Sequence, residues 1–350
     1  MTDHRPDDPL TYPVGRRPDH AECVEVAPGV QWIRMQIPIP GLDFINVWLL
    51  GDGDGWTIVD TGLKSKKTQA WWEEIFAKYL DGKPVTRVIC THFHPDHMGL
   101  AGWMVERFPG AALWMSFGEW SFGRMIWLDS QEEMPDEVTR FYHRLGWSEK
   151  AIAALRKGGF GNFARVVHDV PHGIRRIVDG ESFEIGGRAW RVIVGQGHSP
   201  EHACLYCAEL GVLISGDQIL PRITPHIGIY PSEPDGNPLQ LYIDSIDIFR
   251  PLPADTLVLP AHGDPFRGLP LRLDALAHHH DVRLERLYVA CDKPQTALEV
   301  VPAMFSRKLK EEDMRLACAE GVAHLHCLMG TGRIVRELAP DGVYRYCRAI

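Results

Sequence analysis

Within six consecutive positions of the run Thr-His-Phe-His-Pro-Asp-His-Met-Gly (91–99), the chain places His92, His94, Asp96 and His97. An apolar interior does not accept so many polar groups without partners, and these residue types are the ones that ligate divalent cations. Any fold of this chain must therefore present a metal-binding turn to a cleft. Upstream, Val85 to Cys90 is a short apolar stretch with β-branched residues, the pattern of a buried strand, and the residues from Gly99 onward have helical spacing. The cluster is expected on a strand-to-helix turn. Alternation aims His92 and His94 together, while Asp96 and His97 at the helix start can face a second ion.

Two ions need more ligands than four. Three further candidates stand alone, each just after an apolar run: His198 in Gly-Gln-Gly-His-Ser-Pro, Asp217 in Ile-Ser-Gly-Asp-Gln and His262 in Leu-Pro-Ala-His-Gly-Asp-Pro. The runs Val192–Val194, Val212–Ile214 and Leu257–Leu259 read as strands, so each polar residue lies at a strand end where its side chain can enter a shared cleft. Together with Asp60 in Ile-Val-Asp-Thr-Gly, the set resembles the metallo-β-lactamase superfamily, with its motifs in the family's order between about residues 30 and 265. The resemblance implies an α/β fold, an αββα sandwich with metals in the cleft between two sheets. It also implies that His92, His94 and His198 bind one ion, that Asp96, His97 and His262 bind the other, and that Asp217 bridges them. Asp96 and Asp217 are then the catalytic carboxylates. Asp60 is read as an acceptor that orients a metal-binding imidazole through its other ring nitrogen. The donor set suits two divalent ions, zinc foremost, with iron or manganese as alternatives.

At 350 residues, 45% hydrophobic and 24% charged, the chain is of ordinary globular composition and long enough for two domains. Eight cysteines without framework spacing and a polar, proline-rich start with no apolar core segment point to a reducing cytoplasm, with no membrane partner. Cys90 ends an apolar strand and reads as structural; Cys204 and Cys207 lie in an alternating strand pattern without a second pair, which supports neither a zinc knuckle nor a redox pair. His278, His279 and His280 read as a solvated cluster at a helix start or linker, because consecutive helical residues cannot converge on one ion.

Residues 1–25 are expected to form an arm or a tail, and residues 26–275 the hydrolase domain. About one hundred residues separate His97 from His198, far more than a compact connection needs. A helical insertion is expected over 114–175, rich in large apolar side chains that include Trp114, Met115, Trp120 and Trp127. It either packs on the sandwich or forms a lid whose Trp120 and Trp127 meet a small-molecule substrate with an apolar portion. The loop 217–237 adds Arg222, His226 and Tyr230 as further substrate contacts.

Beyond Leu276, helical runs over 281–291, 296–305 and 311–328 precede a hairpin pattern around Pro-Asp-Gly, a winged-helix-like order over 276–350. This tail resembles that of the β-lactamase-like protein 2 subgroup. It carries 11 Lys and Arg against 10 Asp and Glu without a basic stripe, so packing against the cleft or forming a homodimer fits it better than reading nucleic acid.

In this superfamily the full ligand set is similar to that of glyoxalase II, lactonases, thioester hydrolases and ribonucleases. Two ions roughly 3.5–4 Å apart can hold a bridging hydroxide that attacks a carbonyl, with no protein nucleophile. The first expectation is therefore hydrolysis of a thioester or lactone. The alternative is a metal-dependent endoribonuclease or phosphodiesterase, which the net charge of −9 opposes. A low-level β-lactamase activity is the third, since true β-lactamases of the superfamily generally lack the Asp found here at 217.

Overall fold

Runs such as Phe44–Asp52 and His202–Cys207 carry apolar side chains at consecutive positions, so a strand formed there must be covered on both faces. The computed structural model, which describes residues 8–38, 41–129, 133–157 and 161–349, shows how that is done. Seven strands form one sheet in chain order: β1 (Val24–Ala27), β2 (Val30–Gln36), β3 (Phe44–Asp52), β4 (Gly55–Val59), β5 (Val85–Ile89), β6 (Ala112–Met115) and β7 (Arg175–Arg176). It is antiparallel up to β4 and parallel from β4 to β7. A second sheet has the order β12-β11-β10-β9-β8, from β8 (Ser182–Ile185), β9 (Arg188–Gly195), β10 (His202–Cys207), β11 (Val212–Gly216) and β12 (Leu257–Pro260). Only its β11–β12 pair is parallel.

The helices are α1 (Lys66–Tyr79), α2 (Pro95–Met98), α3 (Ala101–Arg107), α4 (Phe117–Leu128), α5 (Asp136–Arg144), α6 (Glu149–Lys157), α7 (Phe163–Val166), α8 (Pro238–Phe249), α9 (Leu269–Ala290), α10 (Ala297–Val300) and α11 (Met314–Gly330). A terminal hairpin joins β13 (Ile334–Leu338) to β14 (Tyr344–Arg348). Three apolar layers result. Trp32, Trp48 and Leu50 of the first sheet meet Trp190, Leu205 and Ile214 of the second; Ile45, Val47 and Leu49 turn outward to α1 and α3; Cys204, Leu213 and Val258 turn outward to α8, α9 and α11. This is the αββα sandwich. The period-two alternation splits the Cys-x-x-Cys across it: Cys207 lies between the sheets and Cys204 on the far face, which prevents them from pairing.

Local chemistry sets the element ends. Helix α1 starts where the Ser65 hydroxyl accepts the Thr68 amide at 3.0 Å, buries Trp72, Ile75 and Phe76, and stops before Asp81 and Gly82, both with positive φ. Trp72 also donates its indole N–H to Thr61 O at 2.8 Å, tying α1 to the strand end that carries Asp60.

Several expectations change. Trp114 and Met115 belong to β6, not to an insertion; β6 carries the sheet on to β7, so the inserted helices begin at α4. The three consecutive histidines lie inside α9. Leu269, Leu273, Leu276, His280 and Leu287 make one buried stripe at helical spacing, so His280 is a core residue, and the boundary expected at 275/276 falls inside a continuous helix. The helix expected over 296–305 is a single α turn followed by a 3-10 turn at Val301–Met304, where Pro302 brings no N–H to continue the ladder. The elements after α9 share one core with the outer face of the second sheet. Residues 8–23 lie along the sandwich: Leu10 is buried, Thr11 pairs with Arg267, and the Arg17 guanidinium grips Asp264 at 2.6 and 2.9 Å. No described helix is long and apolar enough to cross a membrane.

Candidate metal centre

Strands β4, β5, β9, β11 and β12 end at the same edge of the sandwich, the usual place for ligand-binding groups in α/β sheets. Backbone bonds close this edge between the sheets, from Ala203 N to Thr91 O at 2.8 Å and from Asn46 N to Ala261 O at 2.7 Å. The segments leaving those five ends carry Asp60, then His92 to His97, then His198, Asp217 and His262. Left-handed glycines make the sharp exits. Gly197 (φ +97°) lies so close to α8 that a Cβ there would stand 2.4 Å from Pro238 O, and Gly216 (φ +50°) packs on the His202 ring.

All seven residues expected to hold metal converge. His92 Nε2 faces His94 Nδ1 at 2.8 Å and His198 Nε2 at 3.2 Å. On the other side, His262 Nε2 stands 3.3 Å from Asp96 Oδ2, and His97 Nε2 is 3.8 Å from the same oxygen. Asp217 lies between the groups, with Oδ2 3.4 Å from His198 Nε2 and 3.7 Å from His97 Nε2, and Oδ1 3.5 Å from His262 Nε2. Two sets each capable of holding an ion result: His92, His94, His198 and Asp217, and Asp96, His97 and His262.

The outward ring nitrogens of three of these histidines are fixed by the protein. His97 Nδ1 donates to Asp60 Oδ2 at 2.8 Å, His198 Nδ1 to His226 O at 2.8 Å and His262 Nδ1 to Phe44 O at 2.9 Å. Each bond turns the Nε2 lone pair towards the cluster. Asp60 itself, with φ of 60°, accepts further bonds from Thr91 N at 2.8 Å and the Thr91 hydroxyl.

The electrostatics fit cations. Burial, reinforced by neighbouring imidazoles, holds His92 and His94 well below the usual histidine range, so both are neutral donors at pH 7. Burial also disfavours charge on His97, yet Asp60, Asp96 and Asp217 outweigh it and hold that imidazole well above the usual range. The carboxylates thus draw positive charge into the cluster. His97 Nε2 and Asp217 Oδ1 are buried without a hydrogen-bond partner, as ligand atoms aimed at an ion would be. The fold and this His/Asp cluster together suit divalent metal binding.

Sequence reasoning missed four residues around the cluster. The fully buried His202 stacks on His92 (ring centroids 4.7 Å apart) and accepts the Asp217 N–H at 3.1 Å through a nitrogen that burial keeps unprotonated, its pKa pushed down to about 3. Asn46 donates to Pro260 O and Gly263 O, fixing the loop of His262. Thr91 links Asp60 to the rings of His92 and His97. Glu119 of α4 is fully buried; burial pushes its carboxyl up to about 7, against the pull of hydrogen bonds from Ser199, Glu201 and Phe93. Thr91 opens the metal run but its type announces no role, and the other three lie outside any motif. An acidic residue in a helix's first turn reads as a macrodipole partner, and a histidine opening an apolar strand reads as core.

Beside His94 and His198 opens a cavity of about 130 Å³ lined by Phe93, Phe122, Ile229, Tyr230, Pro238 and Leu241, among others. The candidate substrate residues divide around it. Tyr230 lines it, and His226 supports it from behind, its Nε2 2.8 Å from the Tyr230 hydroxyl and its carbonyl on His198. Trp120 and Trp127 do not line it. They turn from α4 onto the core under the first sheet, where the Trp120 indole donates to Pro171 O at 2.9 Å, and Phe122 is the α4 aromatic that reaches the cavity. Arg222 lies in a different depression with Leu10, Leu271 and Arg272, over the Tyr12 ring.

Residues 40–262 match the metallo-beta-lactamase superfamily profile, well over half of the chain. The chain belongs to the metallo-beta-lactamase superfamily. Its members are metal-dependent hydrolases, and so is this one. A second profile, the metallo-beta-lactamase-like C-terminal domain, matches residues 284–349. A beta-lactamase domain protein from Burkholderia ambifaria is 44% identical, with a TM-score of 0.87 and 97% of both chains covered. A probable metallo-hydrolase of Bacillus subtilis (strain 168) is 24% identical over 89% of this chain and 96% of its own length. An atrochrysone carboxyl ACP thioesterase of Aspergillus fumigatus is 21% identical over 65% of this chain, which spans only 40% of that protein.

Proposed function

We propose that this superfamily hydrolase cleaves a carboxylic thioester, or a lactone, whose acyl portion is apolar, and that it does so with two divalent ions, zinc foremost. The first would be held by His92, His94 and His198, the second by Asp96, His97 and His262, with Asp217 shared. Bound there, the ions would supply an acidified water and polarise the scissile carbonyl. The protein's own part is positioning: Asp60, His226 O and Phe44 O fix three of the imidazoles, and the apolar cavity seats the acyl group beside His94 and His198.

The observation that carries the choice of bond is the lining of that cavity. It is built from aromatic and aliphatic side chains, with no Lys or Arg among its lining residues and one carboxylate, Glu233. A phosphodiester arriving there finds no Lys or Arg among the lining residues to grip its oxygens, whereas an acyl chain meets Phe93, Phe122, Ile229 and Leu241. The thioesterase named among the distant relatives acts on this same class of bond.

The test is release of free thiol from a panel of acyl-CoA and acyl-glutathione thioesters by zinc- or manganese-loaded protein, with Asp217→Ala as control. Water adds to the acyl carbon and the thiol leaves with a proton, so each turnover gives one carboxylic acid and one thiol. Turnover that rises with acyl length and vanishes in the control supports the reading. Silence on thioesters and lactones, with metal-dependent cleavage of single-stranded RNA, overturns it.

A further inference from the structure

Glu119 is a carboxylate with no solvent exposure, and no ion pair involves it among the described residues. Desolvating such a group destabilises a fold unless its oxygens are fully engaged. Here every engaged donor belongs to a histidine-bearing loop. Oε2 accepts the amide of Phe93, the residue between His92 and His94, at 3.0 Å. Oε1 accepts the hydroxyl of Ser199, next to His198, and the amide of Glu201, next to His202, both at 2.6 Å. The grip is reciprocal. Ser116 Oγ donates to Glu201 O at 2.9 Å and Gly118 N to Glu201 Oε2 at 2.8 Å, while a Cβ on Gly123 would lie 2.9 Å from Met98 Sδ and 3.1 Å from Phe93 Cβ. The start of α4 therefore rests directly on the metal turn.

We infer that Glu119 is a positioning residue that clamps the His92–His94 turn to the His198 loop and so sets the spacing of the three imidazoles of one ion. The inference rests on reading the cluster as a metal centre. It separates the two ions: Asp96, His97 and His262 are fixed by α2, Asp60 and Phe44 O, and the hydrogen bonds of Glu119 go to Phe93, Ser199 and Glu201 instead.

The perturbation is Glu119→Gln. An amide keeps the volume but offers one accepting oxygen, so it must present its NH₂ either to the Phe93 N–H or to the Ser199–Glu201 pair, and one loop is released. Metal content after dialysis, a chelator competition titration and the visible spectrum of cobalt-loaded protein are read for wild type and variant. The expected result is ten- to hundredfold weaker binding of one ion, with an altered cobalt band for that site, and wild-type affinity for the other. Leu276→Ala, in the core behind the second sheet, serves as a control for general loosening and should lower the melting temperature while leaving both affinities unchanged. Should Glu119→Gln not fold, Ser199→Ala removes one donor and is expected to weaken the same ion by a smaller factor. Wild-type affinity for both ions in the folded variants, or equal weakening of both, overturns the clamp. Wild-type protein that binds no metal overturns the metal centre itself, a different result from either.

Discussion

Asp60→Asn probes the wiring of the cluster with almost no change in volume. Asp60 is about 1% exposed, and its two oxygens accept the His97 Nδ1–H at 2.8 Å, the Thr91 N–H at 2.8 Å and the Thr91 hydroxyl. Asparagine tolerates the left-handed φ of 60° at this position, so the backbone should hold. The amide cannot serve both N–H groups. If its oxygen stays on Thr91, its NH₂ confronts His97 Nδ1, and the imidazole must move its proton to Nε2, the atom needed as a metal ligand. If its oxygen turns to His97, the Thr91 N–H is left buried and unpaired, at a cost of about 1–3 kcal/mol. Loss of a carboxylate behind a metal-binding histidine typically weakens metal affinity 10- to 100-fold, which is about 1.4–2.7 kcal/mol. The first route is read in metal affinity, the second in the stability of the metal-free fold. The assay is chelator competition on dialysed protein, with the melting temperature of the metal-free form as a check on folding. The expected result is weaker binding of the ion at His97 in a variant that folds. Unchanged affinity for both ions would refute the role given to Asp60, and so would a metal-free variant that fails to fold while its folded fraction keeps wild-type affinity.

Other outcomes follow from the same geometry. Asp217→Ala, which removes the carboxylate between both ligand sets, should abolish turnover and lower metal content below two ions per chain; two tightly held ions by elemental analysis would contradict the assignment. Gly197→Ala requires a Cβ at φ +97° against Pro238 O and Tyr242, so it should cost more than about 1 kcal/mol in urea unfolding and lower kcat through the neighbouring His198. Phe122→Ala should raise KM for long acyl groups by about fourfold per methylene left uncovered (about 0.8 kcal/mol each) and leave short acyl groups unaffected. Burial holds His280 and His324 down to about 2 and about 3, and their facing nitrogens lie 3.2 Å apart. Because these folded values lie below the ordinary 6.5, the unfolded chain binds more protons as pH falls, so stability present above pH 6.5 is lost on acidification. One such histidine accounts for about 2 kcal/mol at pH 5. His324→Gln should flatten the fall in unfolding free energy between pH 7 and pH 5 relative to wild type, and parallel curves would contradict this.

The candidate ligand set was legible because each member is announced locally. A short apolar run ends, a His or Asp follows, and the strand's direction delivers it to the shared edge. Asp60 was legible for the same reason. Glu119, Asn46 and His202 were not, since their roles depend on contacts spanning tens to hundreds of residues that no local pattern encodes. That Trp120 and Trp127 do not line the cavity was not legible, because an apolar-rich helix does not announce which of its aromatics faces the core; the neighbour Phe122, on a different face of α4, reaches it. His280 misled in the opposite sense. Three histidines in a row read as a wet, polar break, and this concealed the stripe that makes α9 one helix across the expected boundary.

The loop that closes the cavity is stitched to the far end of the sequence. Ile229 N donates to Ala319 O at 3.1 Å, and a Cβ on Gly228 would press on the Ala319 methyl at 3.1 Å. Its near neighbour His226 holds His198 in place. During synthesis the strands of both sandwich sheets and every cluster residue leave the ribosome before α11 exists to receive that loop. The cavity beside the His/Asp cluster is therefore completed only when the last helix docks, and a nascent hydrolase domain, however well its sandwich has formed, has yet to gain one wall of that cavity.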